Sequence, residues 1–549
     1  MMPAIDDALE RLRDGDTTAR AGIPESHPLH DGLRRAAVAF AAVGGRLEER
    51  WHRALTELAG CIRPLSGADA LFEGGAYPGA WLESTATVSA GILDRFAPEV
   101  TRATHLLFAE LARDDGLLPY KVTADGPAFT QIQMVTPLAR EVWHHYLRSE
   151  PTAAARQYLR RMYDAMVRND AWLAAHRDTR GTGAVEAFCT FDTGHDMSPR
   201  FWHVPDRCFR GDPTRFDPDV PTLPYIAPDL TANVACQREH LALIAAELGE
   251  EGAPWRARAT ASTRALLDQC WDETDGMFYD RARDGHLRVA SDVLLRVLAC
   301  GVGDDESFGR ALEQHLMSTR RLLSHAGFTS IAMDDPRFDD DHTRNSWAGP
   351  VNYLTLVRAP QAFEQHGRHA ELSLVRRSLL GAVAGHDRFP QCLDPWTGDA
   401  GYTDGYSPAM LWLLDALETD CGVLPRPDGE VWLTGMPPTR LDHGQSAAAT
   451  AAARTVAGVR YELAADDERV EVHRDGMLWL RFPRGWRVVL DRGGRVAGVV
   501  GMSPSAVSGE LRVDAAPPVA LTLGPNDHAT VADGHATALH RRGFTPPRF

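Results

Sequence analysis

The sequence predicts an all-α (α/α)6 toroid (barrel), a ring of paired helices, followed by a small C-terminal antiparallel β-sandwich domain. Three observations carry this. About eleven stretches between residues 30 and 423 show the three-and-four apolar spacing of helices, with almost no strand signal between them. The loops that join them are long and recur at fairly regular intervals. Past Leu424 the pattern changes to short alternating runs. Many helices without β-α alternation pack helix on helix, and eleven is within reading error of the twelve that close as six hairpins.

Residues 1–29 read as an N-terminal extension. Asp6, Asp7 and Glu10 stand where a signal peptide needs an apolar run, so a cytoplasmic location is expected. One helical pattern is expected from His30 to Arg63. Leu33, Ala36, Ala37, Phe40 and Ala41 form a buried face, and Trp51, Leu55, Leu58 and Ala59 repeat it. The same spacing predicts helices over 86–113, 131–149, 153–176, 230–249, 254–271, 289–301, 305–319, 351–366, 369–385 and 406–419. The loops at 64–85, 114–130, 177–229, 272–288, 320–350 and 386–405 hold many Trp, Tyr, Phe, Asp and Gly residues, which argues against disorder. Such loops at one end of a helical barrel make a pocket. The barrel is assigned to 30–423. Beyond it, Gly458–Leu463, Glu468–His473, Met477–Phe482, Trp486–Leu490 and Val496–Val500 read as strands, with Asp475-Gly476 and Gly493-Gly494 as hairpin turns. Residues 424–549 therefore form the β domain, and no catalytic constellation is found there.

Bulk properties exclude several functions. A formal charge of −17 over 549 residues argues against a nucleic-acid partner and gives no reason to expect an anionic membrane partner. No stretch approaches the length of about 18 apolar residues that a spanning helix needs. Lys121 is the only lysine, the other 57 of the 58 Lys+Arg being arginine, so Schiff-base chemistry would have to use it. It reads most simply as a loop residue. The eight cysteines include no C-x-x-C pair, which argues against a zinc ribbon or a redox dithiol. No cofactor and no metal are implied. The acidic run Asp334–Asp341 lacks the Asp-Asp-x-x-Asp spacing of a magnesium-diphosphate site, and His144 and His145 diverge on a helix too far to share a metal.

The chemistry is expected in the stretch Phe188–Trp202. Asp192 and Asp196 stand four residues apart, Gly194 breaks regular structure between them, and Pro199 forbids a long helix just after. A carboxyl group among Phe191, His195, Phe201 and Trp202 would lose solvent, and desolvation raises the pKa of an acid. A carboxylic acid still protonated near neutral pH can protonate the leaving-group oxygen of a glycoside.

Several segments resemble one family. Asp192-Thr-Gly-His-Asp196-Met-Ser-Pro-Arg200 is similar to the acid-bearing segment of the inverting glycoside hydrolases that include trehalase, processing α-glucosidase I and mannosylglycerate hydrolase. Thr329–Phe338 followed by Ser346-Trp-Ala-Gly-Pro-Val-Asn-Tyr353, Trp271–Asp280, Trp81-Leu-Glu-Ser84 and Arg487–Gly494 are similar to further segments in the same order. The resemblance covers roughly residues 30–500. It implies an (α/α)6 barrel with Asp196 as general acid and an opposed carboxylate activating water about 6.5–9.5 Å away. The implied substrate is an α-glycoside or similar polyhydroxylated small molecule. Candidate substrate contacts are Trp81, Glu83, Gln133, Asp192, His195, Arg200, Trp202, Trp347, Trp396 and Tyr406, with Asp192 and Arg200 also orienting the acid loop. Flat rings suit the apolar faces of sugars, although they also fill cores.

The sequence departs from the family at the base. The family's glutamate corresponds to Gln391 in Gln391-Cys-Leu-Asp394-Pro-Trp-Thr-Gly398, and an amide cannot take a proton from water at useful pH. The family's arginine before Gly-Pro is Ala348, and its pocket aspartate is replaced by Glu83 or Ser84. Three expectations stay open. Asp394, Asp399 or Asp404 supplies the base. Alternatively, a single acid drives a non-hydrolytic cyclisation, isomerisation or elimination in specialised metabolism. In the third, the pocket only binds a glycan.

Overall fold

The computed structural model of the protein describes residues 4–133, 137–439, 446–532 and 534–549. Among them, six segments pack in a cycle. Ala90–Leu93 lies against Leu138–Arg148, followed by Pro228–Leu248, Val293–Leu298, Tyr353–Gln365 and Ser407–Cys421, each on the one before. Ser407–Cys421 then returns to Ala90–Leu93. Several of these segments are buried on almost every side, as the inner helices of a ring must be. All six residues of Val293–Leu298 are buried, and Ser407–Cys421 is buried along almost its whole length. Amphipathic helices alternate with them in the chain. Leu47–Cys61 packs on Ser407–Cys421, Ala153–His176 on Pro228–Leu248 and Leu138–Arg148, and Ala253–Cys270 on Pro228–Leu248. Each cycle segment is entered through one of the long loops, so the residues just before six helical starts can meet.

The helix expected from His30 to Arg63 is not continuous. The chain forms helix Pro28–Arg35, strand Ala39–Val43 and helix Leu47–Cys61. The strand pairs antiparallel with Ala449–Val456, Ala41 opposite Ala451. Phe40 and Ala42 face the main helical core, while Ala39, Ala41 and Val43 face the N-terminal helix Ala4–Asp14. A strand buried on both faces shows no alternation, and its apolar run mimics a helical face. Ala37 at φ 47° and the Gly44-Gly45 pair at φ 86° and 67° turn the chain at its two ends. Helix Ala4–Asp14 and strand Ala39–Val43 therefore pack with the C-terminal sheet, Ile5, Ala8, Leu9 and Leu12 lying on Ala449, Ala451, Ala453 and Ala464, while Leu29 and Leu33 between them join the helical core.

The C-terminal part is antiparallel, as the alternating runs predict. One sheet runs in the order Ala39–Val43, Ala449–Val456, Val459–Ala465, Arg469–Arg474, Met477–Pro483, Val507–Val513, Val519–Leu523. The other holds Val423–Pro425, Val431–Thr434, Trp486–Leu490, Val496–Gly501, His528–Ala532 and His535–His540. Leu433, Leu463, Leu480, Trp486, Val488 and Val499 share one core between the sheets. Asp475 and Gly476 both take positive φ, 49° and 82°, the geometry a tight hairpin turn asks for. Among the described residues no helix is long and apolar enough to cross a membrane.

Candidate active site

The acid loop is held from beneath by two buried arginines. Asp192 is fully buried and accepts from Arg177 at 2.5 and 3.3 Å, from the Phe188 amide at 2.7 Å and from the Ile132 amide at 2.9 Å. Arg200, buried in the same way, grips Asp229 with two bonds of 2.9 and 3.0 Å and Asp280 with two of 2.8 Å. Its Nη1 also donates to His195 Nδ1 at 2.5 Å. The proton of His195 therefore sits on Nε2, which stands 3.3 Å from Asp292 Oδ1. Burial, reinforced by Arg296 and Arg200, pushes His195 far down, so the ring is neutral. The Trp347 ring covers it at 4.6 Å and also receives the Arg296 guanidinium at 4.9 Å. Asp192, His195 and Arg200 thus spend their polar groups on the protein and position the loop.

Gly194 and Met197, both at positive φ (65° and 59°), let the chain turn sharply on either side of Asp196. The Asp196 carbonyl accepts from the Trp347 amide at 3.0 Å. Its Oδ2 accepts from Asn345 Nδ2 at 2.6 Å, and Oδ1 is buried with no hydrogen-bond partner among the described residues. Burial pushes the carboxyl up to about 7, the charges of Glu83 and Asp206 add to this, and the Asn345 bond opposes it.

Gln391 lies on the same polar network. Its Oε1 accepts from the Tyr77 hydroxyl at 2.7 Å and its Nε2 donates to Asn345 Oδ1 at 3.1 Å. One amide side chain thus bridges Gln391 and Asp196, which puts Gln391 Nε2 and Asp196 Oδ2 no more than about 8 Å apart. The aspartates expected to stand in for the base are used differently. Asp394 Oδ1 accepts from the amides of Trp396 and Thr397, both at 2.8 Å, and Oδ2 faces His342 Nδ1 at 3.2 Å. Asp404 is exposed and accepts from the amides of Phe389 and Gly405 at 2.8 Å. Asp399 is exposed as well. All three lie on the loop of Gln391, and none is among the charges that raise Asp196.

The remaining candidates divide. Glu83 is buried and paired with Arg358, with Arg296 at 3.9 Å. Trp81 is buried edge-on against Tyr77 at 5.5 Å, with Lys121 Nζ 5.3 Å from its ring. Gln133 has a strained φ of 28°, and its Oε1 is buried without a partner among the described residues. Tyr406 and Trp347 are core residues, whereas Trp202 and Trp396 are about half exposed, and Trp396 Nε1 donates to Asp340 at 2.8 Å. The cluster Cys189, Asp192 and Cys208 is compact enough for a metal, but Arg177 already neutralises the only carboxylate in it.

The residues missed from the sequence are Tyr77, Asn345 and Glu73. Asn345 directly precedes Ser346-Trp347, and Tyr77 precedes Trp81 by four residues; their adjacency was the available signal. Glu73 is buried, accepts from the Tyr406 hydroxyl at 2.8 Å, and is pushed up to about 8 by burial, with Glu83 and Asp196 adding to it.

The family model of the mannosylglycerate hydrolase MGH1-like glycoside hydrolase domain matches residues 77–408. The chain belongs to this family. As an MGH1-like glycoside hydrolase it is similar to the mannosylglycerate hydrolase of Rubrobacter radiotolerans, 26% identical over 199 residues, which are 35% of this chain and 44% of the relative. It therefore spans less than half the length of that curated relative. The crystal structure of the GH63 mannosylglycerate hydrolase from Thermus thermophilus in complex with Tris superposes with a TM-score of 0.56 at 17% identity, over 66% of this chain and 98% of that one. Neutral trehalase from Saccharomyces cerevisiae gives 0.52 at 14%, over 65% and 76%. The resemblance read from the loop segments is thus shown at the level of the family, the MGH1-like glycoside hydrolases. The matched region of this MGH1-like hydrolase contains Tyr77, Asp196, Asn345 and Gln391, and begins four residues after Glu73.

Proposed function

We propose that the protein hydrolyses an α-glycoside of a small polyhydroxylated molecule, with Asp196 protonating the departing oxygen. The observation that carries this is the Asp196 carboxyl: one oxygen held by Asn345, the other buried without a partner among the described residues, and a pKa near 7 that leaves much of it protonated at neutral pH. The six-membered cycle of helices supports reading the ring as an (α/α)6 toroid with these loops at its mouth. The names of the relatives point to a small glycoside, one carrying a sugar on a compact acid or on a second sugar. Glu83, held by Arg358 and next to Trp81, is suited to accept sugar hydroxyls, and the half-exposed Trp202 and Trp396 are suited to cover a ring face. Gln391 orients the attacking water. A cytoplasmic setting without nucleic-acid or membrane partners goes with this reading.

The test is turnover of a panel of α-mannosides and α-glucosides of small acids and sugars, followed by NMR of the nascent product. Hydrolysis with inversion is expected, and Asp196→Asn should lower kcat/KM by about 10²–10⁴-fold. Full activity in Asp196→Asn would remove the acid assignment. A product of unchanged mass would mean rearrangement, and binding without turnover would leave a glycan-binding protein; either outcome overturns the proposal.

A further inference from the structure

Three hydrogen bonds run in one direction through the site. The Tyr77 hydroxyl donates to Gln391 Oε1 (2.7 Å), Gln391 Nε2 to Asn345 Oδ1 (3.1 Å), and Asn345 Nδ2 to Asp196 Oδ2 (2.6 Å). The direction follows from one end. With the Asp196 proton on Oδ1, as its acid role requires, Oδ2 only accepts, so Asn345 turns its NH2 to Asp196 and its oxygen to Gln391. Gln391 must then present its own NH2 to Asn345 and its oxygen to Tyr77. Burial holds the Tyr77 phenol protonated, so it donates. Each amide therefore has its oxygen on the Tyr77 side and its nitrogen on the Asp196 side.

We infer that Gln391 and Asn345 form a two-amide proton relay that lets an amide serve in place of the missing base. The inference rests on the hydrolytic reading above. An amide is too weak a base to hold a proton, but it can take one on oxygen while giving one up from nitrogen, so no full charge develops on it. In the reaction Asp196 gives the proton on its partnerless Oδ1 to the glycosidic oxygen, and the bond from the anomeric carbon to that oxygen breaks. A water oxygen bonds to the anomeric carbon from the opposite face. Its proton goes to the second lone pair of Gln391 Oε1, the Nε2 proton of Gln391 passes to Asn345 Oδ1, and an Nδ2 proton of Asn345 passes to Asp196 Oδ2.

At that point water has been added across the glycosidic bond, Asp196 is again neutral, and both amides are in their imidic acid form. Once product leaves, the protons step back along the same bonds, one is released from Gln391 Oε1 to solvent, and Asp196 takes one from solvent on Oδ1. No oxidant, metal or further reactant enters. The two oxygens of Asp196 have separate duties, which accounts for one being bonded and the other bare.

The test is a double-mutant cycle of Asn345→Ala and Gln391→Glu on a glycoside that the wild type turns over. Gln391→Glu installs a carboxylate that takes the water proton itself. With the relay, Asn345→Ala lowers kcat by at least about 100-fold in the wild type, the range of one acid-base group, and by under about 10-fold in the Gln391→Glu background. An equal loss in both backgrounds means that Asn345 only positions Asp196, and overturns the relay while hydrolysis stands. A proton inventory on the unaltered enzyme is independent of folding in the variants: kcat against deuterium content should curve, as several protons in flight require, whereas a straight line overturns the relay. No turnover by either the wild type or Gln391→Glu on the whole panel overturns the hydrolytic reading itself, and the relay with it.

Discussion

Tyr406 donates its phenolic hydrogen to Glu73 across 2.8 Å, and both side chains are buried. Burial raises the folded-state pKa of Glu73 to about 8, well above the value of 4.5 it starts from. Between these values the folded chain binds a proton that the unfolded chain has released, so stability falls as pH rises from about 4.5 to about 8. Glu73→Gln keeps the acceptor for Tyr406 and removes the titration. The variant should flatten the alkaline loss of stability, a contribution on the order of a few kcal/mol, seen as a higher Tm than wild type at about pH 8.5 and little difference at about pH 5.

The pH dependence of kcat/KM should be one-sided. In the proposed acid role Asp196 acts only when protonated, so activity should fall tenfold per pH unit above about 7. Gln391 does not titrate and adds no limb at low pH. Gln391→Glu should add one, turning the profile into a bell, and a bell-shaped wild-type profile with a carboxylate limb would point to a different base.

Arg200 satisfies Asp229 and Asp280 together with four bonds and reaches His195 with one more contact. Lysine offers a point charge that cannot span both carboxylates. Arg200→Lys should cost about 3–5 kcal/mol in urea unfolding, because two buried aspartates lose their partner. Loss of less than about 1 kcal/mol would show that water replaces the guanidinium.

Trp202 and Trp396 are about half exposed, so their removal should leave stability within about 0.5 kcal/mol. If they cover a ring of the substrate, Trp202→Ala and Trp396→Ala raise KM with kcat nearly unchanged. Unaltered KM in both variants places the substrate elsewhere in the loops.

Gly74 takes φ 84°, and a Cβ there would stand 2.2 Å from the Gly405 carbonyl oxygen. The loop of Glu73 and the loop of Tyr406 therefore touch backbone to backbone. Gly74→Ala should destabilise by about 1–3 kcal/mol and shift the Glu73–Tyr406 pair, readable as a lower urea midpoint together with an altered alkaline Tm profile.

Much of the candidate site is local in sequence. The stretch Phe188–Trp202 shows its carboxylates, its glycine and its proline in one loop, and the Gln391-Cys-Leu-Asp-Pro segment shows an amide where the resemblance leads one to expect a glutamate. Partners far apart in the chain are not legible this way. Asn345 lies 149 residues from Asp196 and 46 from Gln391, and no spacing rule links them. A loop sequence also does not reveal that one oxygen each of Asp394 and Asp404 caps backbone amides.

Apolar period is a local property, so many of the helices and the alternating strands could be read from the chain alone, as could the glycine and proline that make Phe188–Trp202 a loop. An alanine-rich run fits either period, and it is the open edge of Ala449–Val456 that makes Ala39–Val43 a strand. The direction each amide faces is likewise a product of folding, because it is set by a carboxylate reaching in from another loop.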